Sequence, residues 1–348
     1  MSEKPRVTLA HLASKLGVTK MTVSNVINSR PGVSQATRAR VLEAIAESEY
    51  VVNVAAQGLA GGKTNLIGLV VPRLGWPFVA EVVAGASHVA EAAGFDVAVF
   101  STSDNGERER ERVSLLRTLA DGVFLVLPHS GEKQLRMLEN SGMPLVTVST
   151  LGAHRVWAGS YHGAILATEH LLELGHTRIA HLVGPDQPSI GRDDITERLA
   201  GYRDTLERAG IAFDARLVVQ GHFTRQGGYG ATLELLDLPE PPSAIFASND
   251  QSAFGALEAA RARGVQVPEV LSIIGFDDIP ASSVTHPPLT TIRQPLQEIG
   301  ERAMGMLLDL MNRSELSSSE ILLPTSLVMR ASTARYTPHT PLEQKGQN

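Results

Sequence analysis

The chain has 348 residues, 43% of them hydrophobic, with no cysteine and a formal net charge of −6. That length supports a small domain beside a larger one with ample core, and the missing cysteines exclude disulfides and thiolate metal sites, which suits a reducing cytoplasm. No stretch reaches the roughly 18 apolar residues of a membrane helix, and Lys4 and Arg6 precede an amphipathic pattern, so neither a span nor a signal peptide is expected.

Charge is uneven along the chain. Residues 1–60 hold seven Lys or Arg against four Glu, so phosphate attraction is confined to this segment and the acidic excess lies beyond it. Within it, residues 8–27 fit a helix-turn-helix. Leu9, Leu12, Ala13 and Leu16 fall on one helical face, Gly17 supplies the turn, and Thr19 is an N-cap for a second helix with Val23, Val26 and Ile27 inside. In such a unit the second helix enters the DNA major groove, and its outer face would offer Lys20, Met21 and Asn25. The competing reading is an ordinary helical hairpin.

A third helix follows, capped by Ser34, with Val41, Leu42, Ile45 and Ala46 expected inward and Arg38 and Arg40 placed to hold phosphates. Residues 53–60 could make two helical turns, but a helix that short is marginal in water and Gly58 weakens it further. This segment is expected to fold only when a partner holds it. The GGKT at 61–64 is not a phosphate-binding loop: Gln57 stands where the motif needs glycine, and the segment precedes a strand.

From residue 66 strands and helices alternate. Apolar runs at 66–72, 96–102, 122–128 and 144–149 form one series; 178–184, the RLVVQ run, 244–250 and 271–278 form a second, with a helix expected from about Thr196 to Gly210. Short apolar runs separated by helices predict two parallel sheets with right-handed crossovers, hence two lobes. Residues 288–295 read as a crossing segment back to the first lobe, completed by a helix at 296–313 and strands near ILLP and SLVMR. The tail from Tyr336 is polar. The fold expected is therefore α/β: an all-α headpiece (1–52), a hinge (53–63) and a two-lobed core (64–335). Lobe 1 takes about 64–158 and 296–330, lobe 2 about 162–290, and 336–348 is tail.

This order resembles the lactose-repressor (LacI/GalR) family of bacterial transcription regulators along essentially the whole chain. VTLAHLASKLGVTKMTVSNVIN, the V-N-x-x-A-x-x-LA hinge pattern, IGLVVP, LLELGHTRIAHLVGP, ERLAGYRDTL, FASNDQSAFGAL and IIGFDDIPASSVTHPPLTTIRQP carry the resemblance. It implies a homodimer whose headpieces read half-sites of a near-palindromic operator in double-stranded DNA. It also implies a periplasmic-binding-protein-like core holding a small effector between its lobes.

The resemblance assigns roles by position. Base reading falls to Lys20, Met21 and Asn25; many relatives carry Arg at the third position, and Asn favours adenine where Arg favours guanine. Thr19, Thr22, Ser24 and Asn28 become phosphate partners. Leu59 matches a hinge leucine that wedges into the minor groove, with Ala56 on the same face, against the plainer alternative of an apolar linker residue. For the effector, Arg198, Asn249 and Asp277 match hydrogen-bonding positions and Phe223 an aromatic platform. Trp76, Phe78, Asp104 and Ser149 follow first-lobe strands, and Gln294 lies on a crossover. Asn249 and Asp250 could simply cap a helix, and Arg198 could be a surface residue. Gly159-Ser160 stands where many relatives have Asp-Asn. Carboxylate, guanidinium and amide together suit a sugar; the alternative is a nucleobase or phosphorylated metabolite, possibly as corepressor.

Other conspicuous residues read as structural. The ERERER run (107–112) predicts Glu107–Arg110 and Glu109–Arg112 pairs on a solvated face, and His162, His170, His176 and His181 lack metal-ligand spacing. With no nucleophile elbow, metal or phosphate loop, neither enzyme activity nor a cofactor is expected. The mechanism implied is a population shift: a ligand bridging the lobes changes their angle and so the fate of a marginal hinge.

Overall fold

The computed structural model describes residues 7–27, 30–48, 63–185, 192–314, 316 and 318–337. The expectations for Asn28, Ala56, Leu59, the hinge over 53–62 and the tail beyond 337 lie outside the described residues.

Three helices, α1 (Leu9–Leu16), α2 (Lys20–Ile27) and α3 (Gln35–Ala46), close on one small core of Leu12, Ala13, Val23, Val26, Val41 and Ala44. Gly17 takes φ 65, the left-handed conformation that lets the chain reverse at once. The inward face of α3 differs from expectation: Val41 and Ala44 are buried, whereas Leu42 and Ala46 are exposed. A helix touching its neighbours along one stripe buries positions three apart, and 41 and 44 hold that stripe. Arg38 and Arg40, expected at phosphates, also make bonds within the headpiece. The Arg38 guanidinium donates to the carbonyls of Val26 (3.3 Å) and Arg30 (2.8 Å), and Arg40 donates to that of Leu16 (3.1 Å). Both satisfy carbonyls at the carboxyl ends of α1 and α2, which no intrahelical bond reaches.

The remainder is built on two six-stranded sheets. In chain order come β1 (Leu66–Val71), α4 (Pro77–Ala92), β2 (Asp96–Ser101), α5 (Gly106–Leu119), β3 (Gly122–Val126), α6 (Glu132–Glu139), β4 (Leu145–Val148) and β5 (Arg155–Ala158). Then follow α7 (Ser160–Glu173), β6 (Ile179–Val183), α8 (Arg192–Arg208), β7 (Val218–Gln220), α9 (Arg225–Leu236), β8 (Ala244–Ala247), α10 (Asp250–Ala262) and β9 (Ser272–Asp277). Last are β10 (Thr290–Arg293), α11 (Leu296–Met311), β11 (Glu320–Leu323) and β12 (Ser326–Val328). The first sheet runs β11-β5-β4-β3-β1-β2, all parallel; the second runs β12-β10-β9-β8-β6-β7, parallel except for β12. The central strands of each are apolar on both faces because helices cover both sides.

Two segments, one expected as a crossing and one in the first lobe, belong to the second sheet. Residues 290–293 are not merely a crossing: β10 pairs with β9, Thr290 opposite Ile274. The SLV strand β12 pairs antiparallel with β10, Thr291 opposite Val328, so the chain crosses once more after Leu323. Strand β5 was not anticipated, because four residues with a partly exposed alternation carry little pattern. Helix α8 starts at Arg192, ahead of the expected Thr196.

Helix packing explains several glycines. A Cβ at Gly300 of α11 would fall 2.1 Å from the Val82 carbonyl of α4, and one at Gly255 of α10 would fall 2.0 Å from the Arg225 carbonyl of α9. The second lobe has another such pair, since a Cβ at Gly201 of α8 would fall 2.5 Å from the Tyr161 carbonyl of α7; these close approaches are ones that only glycine permits.

The ERERER expectation needs correction. Glu109 is 3% exposed, and its carboxylate accepts from the amides of His129 (2.7 Å) and Ser130 (2.9 Å) just ahead of α6. Two amides at a helix start attract a carboxylate more than a solvated arginine does. Among the described residues, no helix is long and apolar enough to cross a membrane.

Candidate effector cleft and DNA-reading helix

A cleft opens between the two sheets' carboxyl ends, lined by Trp76, Pro77, Phe78 and Leu127 from one side. Asp194, Arg198, Phe223, Asn249, Gln251, Asp277 and Ile279 line the other. Parallel strands end together, so the loops that follow them converge. Pro77 opens α4 at its first position, and Trp76 just before it turns into the cleft. Leu127 follows β3 directly, with φ 45.

The second side carries the polar groups. Arg198, 5% exposed on α8, is held on three sides. Its Nη1 donates to the Ser248 carbonyl (2.5 Å), its Nε to Ser160 Oγ (3.4 Å), and its guanidinium lies 3.8 Å from the centre of the Phe276 ring. Behind it, the buried His181 contacts Ser248 Oγ through Nε2 (3.3 Å) and the Phe246 carbonyl through Nδ1 (3.0 Å). Burial pushes the His181 imidazole down to about 4, so its neutral form is the one that packs here.

Asp277 ends β9 and is 6% exposed. Gln294 Nε2 donates to its Oδ1 at 2.7 Å. Burial raises the Asp277 carboxyl above the usual range, opposed chiefly by the Arg198 guanidinium. Asp277 and Asp278 take φ 113 and 57, conformations costing about 1–3 kcal/mol each for such residues. The surroundings hold them there. Asp278 pairs with Arg293 (2.7 Å) and Arg330 (2.5 Å), and the next amide, Ile279 N, donates to Asp250 Oδ2 at 2.9 Å. Asp250 also accepts from Ser282 (2.7 Å) and Thr291 (2.5 Å), so it fastens this loop instead of facing the cleft.

Asn249 is a helix cap at the edge of the cleft. Its Oδ1 accepts from Ser252 N (2.9 Å) and so caps α10, while its Nδ2 donates to the Phe223 carbonyl (3.1 Å) and it lines the cleft. Phe223 has φ 57, which turns its ring inward against Gly184, where a Cβ would lie 2.6 Å from the ring.

The structure therefore gathers six of the nine residues proposed for the effector: Trp76, Phe78, Arg198, Phe223, Asn249 and Asp277. Three are not among the cleft's lining. Asp104 is ion-paired with Arg73, Ser149 Oγ accepts from Leu151 N (3.2 Å) within its own turn, and Gln294 acts on Asp277 from behind. Five lining residues were missed: Pro77, Leu127, Asp194, Gln251 and Ile279. Two had a usable signal, since Leu127 follows a strand as Trp76 does, and Asp194 stands four residues before Arg198 on one helix face.

In the headpiece, Lys20 and Met21 open α2 and are exposed, Met21 by 69%, while Asn25 is half-buried one turn on. Thr19 Oγ1 accepts from Thr22 N at 3.1 Å and meets Thr22 Oγ1 at 2.9 Å, so Thr19 is a helix cap before it is anything else. Ser24 is half-buried.

Comparison with known proteins places this architecture. Residues 8–53 match the family described as bacterial regulatory proteins, lacI family, and residues 168–333 a periplasmic binding protein-like domain. The HTH-type transcriptional regulator DegA of Bacillus subtilis is 35% identical over 341 residues, 94% of this chain and 98% of its own. The crystal structure of the Lac repressor dimer bound to operator and the anti-inducer ONPF superposes with a TM-score of 0.81. It is 32% identical and covers 95% of this chain and 100% of its own. The transcriptional regulator CelR–cellobiose complex superposes at 0.70, with 33% identity, 94% of this chain and 100% of its own. An exposed DNA-reading helix ahead of a two-lobed binding core, with near full-length similarity on both sides, makes this chain a member of the lacI family of bacterial regulatory proteins, DNA-binding transcriptional repressors controlled by small effectors.

Proposed function

We propose that this protein is a dimeric repressor of the cytoplasm whose operator affinity is set by a small carbohydrate held between its lobes. The observation that carries this is the pairing of an aromatic wall (Trp76, Phe78, Phe223) with Arg198, Asn249 and Asp277 in one cleft. A sugar ring offers an apolar face to the first and a hydroxylated edge to the second. The CelR–cellobiose complex supports the choice of ligand class, and the operator-bound Lac repressor dimer supports the assembly and the DNA.

On this reading Lys20, Met21 and Asn25 meet base edges, and Thr19, Thr22, Ser24 and Asn28 meet phosphates. Leu59 and Ala56 of the hinge enter the minor groove. The headpiece takes 1–52 and the hinge 53–63. The core takes 64–335, with β10 and β12 counted in the second lobe. The cleft acts by binding alone, and a bound sugar is returned unchanged. Because the cleft has a wall on each lobe, a ligand that touches both alters their angle, and a coupling of about 1–3 kcal/mol would change operator affinity some 5–150-fold.

The test is fluorescence anisotropy on palindromic fragments taken from upstream of the gene, titrated with a panel of sugars and of purines at fixed salt. Release of DNA by one carbohydrate is the expected result. Indifference to every sugar together with a response to a purine would overturn the ligand class, and the absence of any preferred palindrome would overturn the repressor.

A further inference from the structure

Asp194 is the one cleft-lining carboxylate to which the effector reading above gives no part, and its surroundings are built. Ser160, fully buried as the first residue of α7, donates through Oγ to Asp194 Oδ1 at 2.6 Å. The same oxygen accepts from Arg198 Nε at 3.4 Å. A hydroxyl has one proton, and here Asp194 receives it. One serine therefore sets the orientation of the carboxylate and of the guanidinium one helical turn further along α8, and Asp194 Oδ2 has no part in this arrangement. The Gly159-Ser160 pair, conspicuous in sequence as a departure from relatives, has this structural use.

The ionisable groups lining the cleft, among the described residues, are then Asp194, Asp277 and Arg198. Arg198 is already engaged with Ser248 and Ser160 and lies against Phe276. The walls around them are Trp76, Phe78, Leu127, Phe223 and Ile279, which keep the local dielectric low and make like-charge contacts costly. A hydroxyl proton meeting Asp194 gains a strong hydrogen bond, whereas a phosphate or carboxylate placed against it meets a like charge across an apolar surround.

We propose that Asp194, oriented by Ser160, is a specificity-determining residue that accepts a hydroxyl proton of the effector and turns anionic ligands away. The cleft thereby selects a neutral, hydroxyl-rich ring over its phosphorylated or carboxylated counterpart. This rests on the carbohydrate reading of the cleft and narrows it.

The experiment measures binding to the full-length protein by thermal shift and then by calorimetry, with paired probes: glucose and cellobiose against glucose 6-phosphate and glucuronate, ribose against ribose 5-phosphate. For the pair that binds, the neutral member is expected to bind at least about 30-fold more tightly. Asp194→Asn should narrow that ratio about tenfold. Ser160→Ala keeps the charge but frees the carboxylate, so it should weaken the neutral sugar several-fold and leave the ratio near its original value. A charged member binding as tightly as its neutral partner overturns the proposal while leaving a carbohydrate effector in place, as does a ratio unmoved by Asp194→Asn. Silence from every sugar of either charge overturns the carbohydrate reading and this proposal with it.

Discussion

The two lobes share a fold but not a chemistry. The first brings Trp76, Pro77, Phe78 and Leu127 to the cleft, all apolar, from loops that simply follow strands or open a helix. The second brings Asp194, Arg198, Asn249, Gln251 and Asp277, and its interior is correspondingly polar: His181, Ser248, Asp250, Thr291 and Ser282 are all buried. The central strands of the first sheet are built instead on Ile67, Leu69, Val71, Phe124, Val126, Val146 and Val148. The difference teaches that hydrogen-bonding groups facing a ligand need a second layer to hold them, and that the layer must itself be satisfied. An apolar wall needs only packing.

The largest effect expected from this contrast is on acid stability. His181 has its pKa lowered from 6.5 to about 4, so the unfolded chain binds its proton first. The resulting stability is complete above pH 6.5 and is lost as pH falls toward 4, amounting to about 3 kcal/mol. Urea melts at pH 7 and 4.5 should show a steep loss that His181→Gln flattens; an equally steep loss in the variant would place the sensitivity elsewhere.

Next is Asp277→Asn. Loss of the carboxyl as a partner for a ligand hydroxyl should weaken the effector by about 30-fold, since leaving a buried polar group unpaired costs about 1–3 kcal/mol. The same change removes a buried carboxylate whose ionisation burial opposes, so the ligand-free melting temperature should hold or rise. Calorimetry and a thermal melt read the two separately, and a fall in both would mean that the residue is structural.

Smaller is Trp76→Ala on the apolar side. It removes ring stacking but no partner of a buried polar group, so about a tenfold loss of affinity is expected with no change in stability beyond about 1 kcal/mol. Smallest is Gly184→Ala. The added methyl meets the Phe223 ring at 2.6 Å and must push it aside, which should reduce affinity a few-fold and quench nothing on the first lobe. Tryptophan fluorescence of Trp76 provides the control.

Much of this was legible in the sequence because it depends on local pattern. Gly17 at a turn, Ser34 and Thr19 at helix starts, and apolar runs punctuated by Pro72 and Gly184 each state a backbone preference within a few residues. Asp194 and Leu127 escaped although each carried a local signal, because that signal gives a residue's place on a helix face or strand end and not what it faces after folding. Their importance comes from Ser160, 34 positions away from Asp194, and from a facing lobe. Glu109 misled for the same reason, since an alternating charge run looks solvated until amides from residues 129 and 130 arrive over it.

By itself, then, the amino-acid order determined the element types, the basic helical unit followed by two strand–helix series, and the residue types offered to a ligand, because propensity and periodicity act over one or two turns. Tertiary structure alone decided that β12 closes the second sheet, that Gln294 donates to Asp277, and that Asp194 faces the cleft. Those outcomes rest on which strand edge, which buried carboxyl and which hydroxyl meet after folding, and such meetings between distant segments leave no local trace.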